Sequence, residues 1–488
     1  MTTPYVLALD EGTTNAKAFA IAPDGAVLAS GSAPVPVSYP RSGWVEQDAD
    51  AVWSAQSAAI GACLEGVEGA PEGIAISNQR ESVVCWDARS GRALGPVLGW
   101  QDSRTAEFCD WLRSPEREFV VSTTTGLSLD PMFSAPKMRY LLDRVGAEAS
   151  SDPRRVRIGT IDSWLVARLT GQSSYVIEAG NASRTLLLDL TTLQWSDEMC
   201  ALFGVPVGRL PRVVASNADF GATRGLGLLP DGVPIVGVLG DSHAALFGHG
   251  CRTASEGKAT YGTGSSVMVP SGADRSVRPG ASTTLAWLTD EPTYGHEGNI
   301  VASGTAMDWT ARLLGVGAGR ELDELAATVE DSGGVSLVPA FTGLGAPWWD
   351  RRAVGLVSGI TAGSTRGHLA RAALESVAHQ IADVVEALGS GELSVLHADG
   401  GATASRLLMQ TQADLLGRDV VVSANAEVSA LGAALMGFTR LGWAPPEPED
   451  DDGGGGRRYR AALDDPARGA ARSQWARALA RSRSVPPR

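Results

Sequence analysis

A strand, a bend rich in glycine and hydroxyl residues, and a returning strand occur twice in this chain, as YVLALDEGTTNAKAFAI at 5–21 and as GKATYGTGSSVMVP at 257–270. An ordinary hairpin turn needs roughly two to five residues with glycine or asparagine chemistry. The first bend instead carries Asp10, Gly12, Thr13, Thr14, Asn15 and Lys17, more hydroxyl and charge than reversing the chain requires. Two unrelated hairpins would give the pattern by chance. Two related domains facing each other across a cleft, each offering one bend to a shared ligand, would give it as a consequence of the fold. At 488 residues the chain is too long for one hydrophobic core, so two or three domains are expected in either case.

The remaining sequence reads as strands alternating with helices. Strand candidates at 5–10, 17–22 and 26–35 lead to a helix that starts after Asp48, a suitable N-cap, in DADAVWSAQSAAIGACLEG. GIAIS (73–77) and SVVCWD (82–87) read as strands, with helices near 102–113 and 134–145. VPIVGVLGD (233–241) reads as a buried strand that ends in an aspartate and enters the helix SHAALFGHG. After the second bend come an amphipathic helix at 364–388, a strand at 394–401, a further helix, the short strand DVVVS and a last core helix, EVSALGAALMGF. Such mixed units around buried strands indicate α/β layers. The domains expected are 1–250 and 251–444, followed by an acidic, glycine-rich linker at 445–458 and a tail at 459–488. In the tail, SQWARALARSRS either forms one helix docked through Trp475 or hangs loosely.

Charge and cysteine usage narrow the partners. A net charge of −14 argues against nucleic acid or an anionic membrane. A phosphate compound would have to be held by local amides and a few placed cations. The five cysteines are odd in number, widely spread and without a CxxC pair, which argues against a disulfide framework or zinc site and for a reducing cytosol. The N-terminus does not read as a signal peptide, and no apolar run approaches bilayer length.

Several short stretches suit particular chemistry. Successive backbone N–H groups in a glycine-containing bend make an anion-binding nest, to which hydroxyls and a lysine add donors. DEGTTNAK has all of these, and YGTGSS has the nest and hydroxyls. Neither is a P-loop, which runs GK[ST] into a helix. Asp10 beside such a cradle either suits Mg2+ bridging phosphate oxygens through water or caps its turn. Asp241 stands where ligand contacts of open α/β sheets project. Its carboxylate either accepts a proton from a substrate hydroxyl or caps the helix; the nearby His243 reads as structural. Arg80 and Glu81 in SNQRES can hydrogen-bond vicinal hydroxyls, although by themselves they read as a surface ion pair. Trp100 in GWQDSRT walls a pocket or fills a core. The glycines of DGGATASRLLMQ let a flat ring approach the backbone or make a tight turn.

In one order, these stretches resemble the FGGY carbohydrate kinases, and among them the glycerol kinases, over roughly residues 5–440. The motifs are DEGTTNAK, SGWVEQD, SNQRES, WQDSRT, DPMFSAPK, GTIDSWL, NASRTLLLDL, GDSHAALFG, TYGTGSS, VPAFTGLGAPWWD, ALESVAHQ and DGGATASRLLMQ. The resemblance implies two actin-like (ribonuclease H-like) α/β domains closing on a catalytic cleft, with ATP and Mg2+ as cofactors. It implies that Thr13, Thr14, Asn15 and Lys17 cradle the β- and γ-phosphates, and that Asp10, with Asp241, helps hold Mg2+ through water. Thr263 and Gly264 would face them from the C-terminal domain. Gly304 would contact the nucleotide, and Gly401 and Ala402 would lie against adenine. Asp241 matches the catalytic base for transfer to a primary hydroxyl.

Arg80, Glu81, Trp100 and Asp241 match the glycerol-binding positions, but three neighbours depart from the family. A tyrosine is replaced by Met132, a glutamine by Ser242 and a phenylalanine by Ser266. On the nucleotide side an asparagine is replaced by Ser405. Losing aromatic walls widens a pocket and makes it more polar, so either glycerol or a longer polyol or ketose of four to five carbons is the expected substrate. A non-catalytic ligand sensor on the same scaffold would be expected to lack Asp10 or Asp241, and an ATP-hydrolysing chaperone to carry a peptide-binding domain. The resemblance also suggests a homodimer or larger homo-oligomer.

Overall fold

The structure, a computed structural model, describes residues 3–145, 155–389, 391–446 and 456–483. Val6–Glu11 (β1) is a near-continuous apolar run, buried from Val6 to Leu9, as befits a central strand covered on both faces. It turns back antiparallel into Asn15–Ile21 (β2), and β2 pairs antiparallel with Val27–Pro34 (β3), whose residues are exposed or half-buried at the sheet edge. Gly73–Asn78 (β4) runs parallel to β1, and Ile235–Gly240 (β5) runs parallel to β4, giving the order β5-β4-β1-β2-β3.

The second half builds the same arrangement. Glu256–Tyr261 (β6) turns back into Ser265–Gly272 (β7); Ser282–Leu288 (β8) and Pro292–Ile300 (β9) continue the antiparallel side. Val395–Asp399 (β10) and Asp419–Val422 (β11) continue the parallel side, and Arg457–Tyr459 (β12) closes the edge. The order is β8-β9-β7-β6-β10-β11-β12. The repeat read in the sequence is therefore a repeat of topology, with each bend at the tip of an equivalent hairpin.

Helices cover both sheets. Ala49–Leu64 (α1) starts as expected: the Ala51 N–H donates to Asp48 Oδ1 at 2.9 Å, and Val52, Ala59, Ile60 and Cys63 face the first sheet's core. Asp241–Gly248 (α2) follows β5 directly. In the second half lie Gly304–Leu314 (α3), Arg366–Ala387 (α4), Arg406–Leu416 (α5) and Val428–Leu441 (α6). A smaller antiparallel sheet, formed by 46–47, 97–98, 83–87 and 156–160, carries the helices around 106–145 beside the first sheet.

The two halves share one core. Helix α6 crosses to the first sheet, so that Val6, Ala8, Leu239 and Ala244 pack with Met268, Trp287, Ala433 and Met436. Helices α2 and α6 touch backbone to backbone: a Cβ on Gly432 would lie 1.8 Å from the Ala244 carbonyl oxygen, and one on Gly248 would lie 2.4 Å from that of Val428. The tail is one docked helix, Asp465–Arg483 (α7). Trp475 is buried, its ring stacked on His379 at 5.1 Å and its Nε1 donating to Asp383 Oδ2 at 2.8 Å. Of the linker expected at 445–458, residues 447–455 lie outside the described ones, and Arg457 and Arg458 belong to β12. All five cysteines are buried free thiols, and no described helix is long and apolar enough to cross a membrane.

Candidate active site

The first bend is fastened on three sides. The Gly12 N–H closes it onto the Asn15 carbonyl at 3.0 Å. The Thr13 hydroxyl accepts from Trp100 Nε1 at 3.0 Å, and its carbonyl accepts from Gln47 Nε2 at 2.7 Å, which ties Trp100 to the bend. Lys17 reaches the second half, its Nζ 2.6 Å from Glu427 Oε2 at the start of α6. Thr14 and Asn15 remain exposed at the tip. Asp10 does not cap this turn. Its Oδ1 accepts from Ser77 Oγ on the neighbouring β4 at 2.7 Å, and burial, reinforced by the Asp241 and Glu427 carboxylates against the pull of Ser77 and Lys17, raises its pKa to about 6. Glu11 beside it is buried, receives Gln79 Nε2 at 3.1 Å and is pushed up to about 8, chiefly by burial.

At the end of β4 the chain delivers Arg80 and Glu81, and they are not the surface ion pair their sequence suggests. Both are 5% exposed. Their partners come from other strands and loops, because the C-terminal end of this central strand is roofed by β9. Arg80 grips Glu297 of β9 with both terminal nitrogens, Nη2 to Oε1 at 2.6 Å and Nη1 to Oε2 at 3.0 Å, while its Nε donates to Asp241 Oδ1 at 3.1 Å. Glu81 instead accepts from Arg184 Nε at 2.6 Å, and Arg184 Nη1 lies 3.0 Å from Glu297. Arg184 and Glu297 are completely buried. Glu81 has φ +61, the left-handed region that side chains enter at a cost. Gly240 is required where Arg80 crosses the end of β5: a Cβ there would lie 2.5 Å from Arg80 Cγ. Burial pushes the Glu297 carboxyl up, but the guanidinium groups of Arg184 and Arg80 more than cancel it and hold the group well below the usual carboxylate range.

Asp241 is the first residue of α2, and Gly240 occupies the cap position. Its side chain is 44% exposed, its Oδ1 accepts from the Ser242 N–H at 2.6 Å, and its pKa is raised by burial against the opposing charge of Arg80. His243 is fully buried, with Nε2 3.4 Å from both Arg80 Nη1 and Thr284 Oγ1, and burial and Arg80 keep it neutral. The two serines that depart from the family meet across the halves. Ser242 Oγ donates to Ser266 Oγ at 3.2 Å, and Ser266 Oγ donates to Glu297 Oε1 at 2.9 Å. Lys258, fully buried behind them on β6, donates to Thr260 Oγ1 at 3.1 Å and Ser266 Oγ at 3.4 Å.

The other expected positions surround this centre. The second bend is docked on the start of α3: Gly304 N donates to the Gly262 carbonyl at 3.0 Å, and Ser303 N and Thr305 N donate to that of Thr263 at 3.1 Å, with Gly264 alongside. Gly401 is exposed and Ala402 half-buried just beyond Gly400, but the Ser405 hydroxyl caps α5 by accepting from Leu408 N at 3.0 Å. Met132 is half-buried. Asp130 Oδ1 accepts from its N–H at 2.9 Å, and buried Lys137 donates to its carbonyl at 2.7 Å and to that of Gly99, next to Trp100, at 3.1 Å. The adjacent Phe133 ring lies under Arg184 at 5.1 Å. Glu11, Lys137, Arg184, Lys258, Glu297 and Glu427 are absent from the residues singled out in the sequence. Arg184 and Lys137 lie inside the quoted blocks NASRT and SAPK, and Glu297 lies in the buried middle of β9, PTYGHEGNI. The quoted blocks were a usable signal for Arg184 and Lys137 themselves, but not for the partners they find in the fold.

Comparison with known proteins agrees with this geometry. The N-terminal domain of the FGGY family of carbohydrate kinases matches residues 5–248, and the C-terminal domain of that family matches 257–441. The apulose kinase of Pectobacterium atrosepticum is 43% identical over 91% of both chains. A glycerol kinase of Citrifermentans bemidjiense is 45% identical over 88% of this chain and 89% of its own. The crystal structure of Plasmodium falciparum glycerol kinase with ADP superposes with a TM-score of 0.90 at 27% identity, covering 99% of each chain, which establishes the two-domain actin-like fold. With both domains matched across nearly the whole length, this chain belongs to the FGGY family of carbohydrate kinases.

Proposed function

We propose that this kinase transfers the γ-phosphate of ATP to a primary hydroxyl of a polyol or ketose of four to five carbons. The observation that carries the choice is the Ser242–Ser266 contact beside Asp241, which puts hydroxyls where a glycerol site has an amide and an aromatic wall. Asp241 serves as general base: its carboxylate takes the proton as the hydroxyl oxygen attacks the γ-phosphorus, the bond from that phosphorus to the bridging oxygen breaks, and ADP leaves. The carboxylate is 44% exposed yet anchored at Oδ1 by Arg80 Nε and the Ser242 N–H, which leaves it both reachable and fixed for the role. Arg80 and Glu81 hold vicinal hydroxyls, while Trp100, Met132, Ser242 and Ser266 shape the rest of the pocket. Thr13, Thr14, Asn15 and Lys17 receive the β- and γ-phosphates, with Lys17 leaving Glu427 to do so. Thr263, Gly264 and Gly304 approach from the other half, and Gly401 and Ala402 flank adenine. Ser405 contributes its backbone to that wall, its hydroxyl being committed to the helix cap.

The donor set fits Mg2+. Asp10 and Asp241 are neighbouring carboxylates raised by burial, and among the described residues no group of three or more His, Cys, Asp or Glu forms a closed metal cage. That suits an ion held by one or two carboxylates, water and phosphate. When bound, Mg2+ neutralises charge on the β- and γ-oxygens. Buried free thiols suit a reducing cytoplasm, and kinship with FGGY kinases supports a homodimer or larger homo-oligomer. Glycerol is the second reading, favoured by the 45% identity to a glycerol kinase.

ADP release with Mg2+ and ATP, measured against glycerol, four- and five-carbon polyols and the matching ketoses, tests the choice. A longer substrate should exceed glycerol in kcat/KM by about a hundredfold, roughly 2.7 kcal/mol of transition-state preference, and Asp241→Asn should abolish turnover. Glycerol ranking first would overturn the substrate assignment; no turnover with any compound would return the scaffold to a sensor.

A further inference from the structure

We infer that Ser242 Oγ is a fixed hydrogen-bond acceptor that selects substrates by a hydroxyl, its proton direction being set by the buried Lys258 through Ser266. The inference rests on the longer-substrate reading above and follows from counting protons. A serine hydroxyl offers one proton and two lone pairs. Ser266 gives its proton to Glu297 Oε1 at 2.9 Å, a carboxylate that the two arginines keep ionised and that can only accept. Its lone pairs face Lys258 Nζ at 3.4 Å and Ser242 Oγ at 3.2 Å. Burial lowers the Lys258 pKa, but the Asp399 and Glu297 carboxylates facing it favour the ammonium form. An ammonium can only donate, so Lys258 takes one lone pair and the other is filled by the proton of Ser242. Ser266 is then saturated, and Ser242 has no proton left to give.

What remains on Ser242 Oγ is acceptor capacity, 9% exposed and directly beside the half-exposed Asp241 carboxylate. A substrate group reaching it must therefore donate. A hydroxyl qualifies; a carbonyl oxygen, an ether oxygen or a C–F group does not. At this subsite the enzyme reads a carbinol carbon of a polyol or ketose, not the ketone carbon, and Lys258 acts as a positioning residue without touching substrate. A glutamine at position 242 would present both donor and acceptor and could not impose this polarity.

The test uses the purified full-length enzyme with Mg2+ and ATP. For the best substrate of the panel, each hydroxyl not phosphorylated is replaced in turn by hydrogen and by fluorine, and kcat/KM is measured for wild type, Ser242→Ala, Ser266→Thr and Lys258→Met. One position should lose about 10- to 100-fold with both the deoxy and the fluoro analogue in wild type. Ser242→Ala should bring the three compounds at that position to within about threefold. Ser266→Thr, which keeps the hydroxyl, should preserve the discrimination. Lys258→Met should shrink the hydroxyl-to-fluoro ratio, a readout that mere loosening of the fold would not move. A fluoro analogue as good as the hydroxyl at every position would overturn the inference, because Ser242 would then be donating. So would a discrimination that survives Ser242→Ala, a variant whose result stands even if Lys258→Met fails to fold. Preference for a longer substrate without any coupling to Ser242 would defeat this inference and leave the proposed function standing, whereas glycerol ranking first would defeat both.

Discussion

Replacing Glu297 by glutamine keeps the shape of the side chain and removes one charge. That carboxylate is fully buried and lies within 2.6–3.0 Å of two nitrogens of Arg80, one of Arg184 and the Ser266 hydroxyl. Two guanidinium groups would lose their common counter-ion in a site where water cannot replace it. Removing one partner from a buried pair typically costs about 3–5 kcal/mol, a large share of the roughly 5–15 kcal/mol that holds a domain together. The effect does not depend on working pH. A carboxylate held below its unfolded pKa contributes stability that is complete above that unfolded value and fades only as pH falls toward the folded one, so from pH 5 to 8 it is fully present. The same change acts on catalysis. Arg80, its charge pairing at position 297 lost and its bond to Asp241 kept, leans on the base and lowers its proton affinity, so kcat should drop about a hundredfold, roughly 2.7 kcal/mol. Urea denaturation gives the stability change, and steady-state kinetics of the folded variant give the second. If Glu297→Gln unfolds within about 1 kcal/mol of wild type and retains kcat within threefold, the claim that Glu297 orients Arg80 is wrong.

Lys137 should be visible at high pH. Burial lowers its pKa to about 8, so between there and its unfolded value the unfolded chain binds more protons and stability rises with pH; Lys137→Met should remove about 2 kcal/mol of that rise, read as the difference between two urea titrations at pH 8 and 10. Lys17→Met should raise KM for ATP about tenfold while changing stability by less than about 1 kcal/mol, since its pair with Glu427 is about one-third exposed; Glu427→Gln, which frees Lys17, should not raise that KM, and a rise would remove Lys17 from the phosphate site. Trp475→Ala should destabilise the second half by about 3–5 kcal/mol and lower the thermal midpoint while leaving kcat/KM within twofold, because Trp475 packs on α4 and His379, away from the cleft.

The sheet pattern was legible because it is local. The apolar runs of β1, β4 and β5, the bends at 10–17 and 261–266, and the cap at Asp48 are written in consecutive residues. Asp10 and Asp241 stood out by their place at strand ends, and the two serines as departures from the family pattern. The charge network was not. Arg80 and Glu297 are 217 positions apart, and Glu81 and Arg184 are 103 apart. A glutamate in GHEGN becomes meaningful only when β9 is laid over the end of β4. For the same reason, adjacency misread Arg80 and Glu81 as partners: consecutive residues at a strand end point to different sides, and each found its counter-charge elsewhere. Lys258 carries no sequence mark at all, since its burial depends on both halves being present. At Ser405 the sequence did not foretell the local role: its hydroxyl oxygen caps the helix that follows.

The backbone contact between α2 and α6 has a mechanical consequence. With the Gly432 and Gly248 positions leaving no room for even a methyl group, the two helices cannot slide past each other without collision. Asp241 sits at the N-terminal end of one of these helices, and its carbonyl accepts from Ser429 Oγ of the other at 3.2 Å, while the bend at 10–17 is tied to the start of that other helix through Lys17 and Glu427. Asp241 and the Lys17 end of the first bend are thus moored to one seam, and a change that spread the two helices would displace both together.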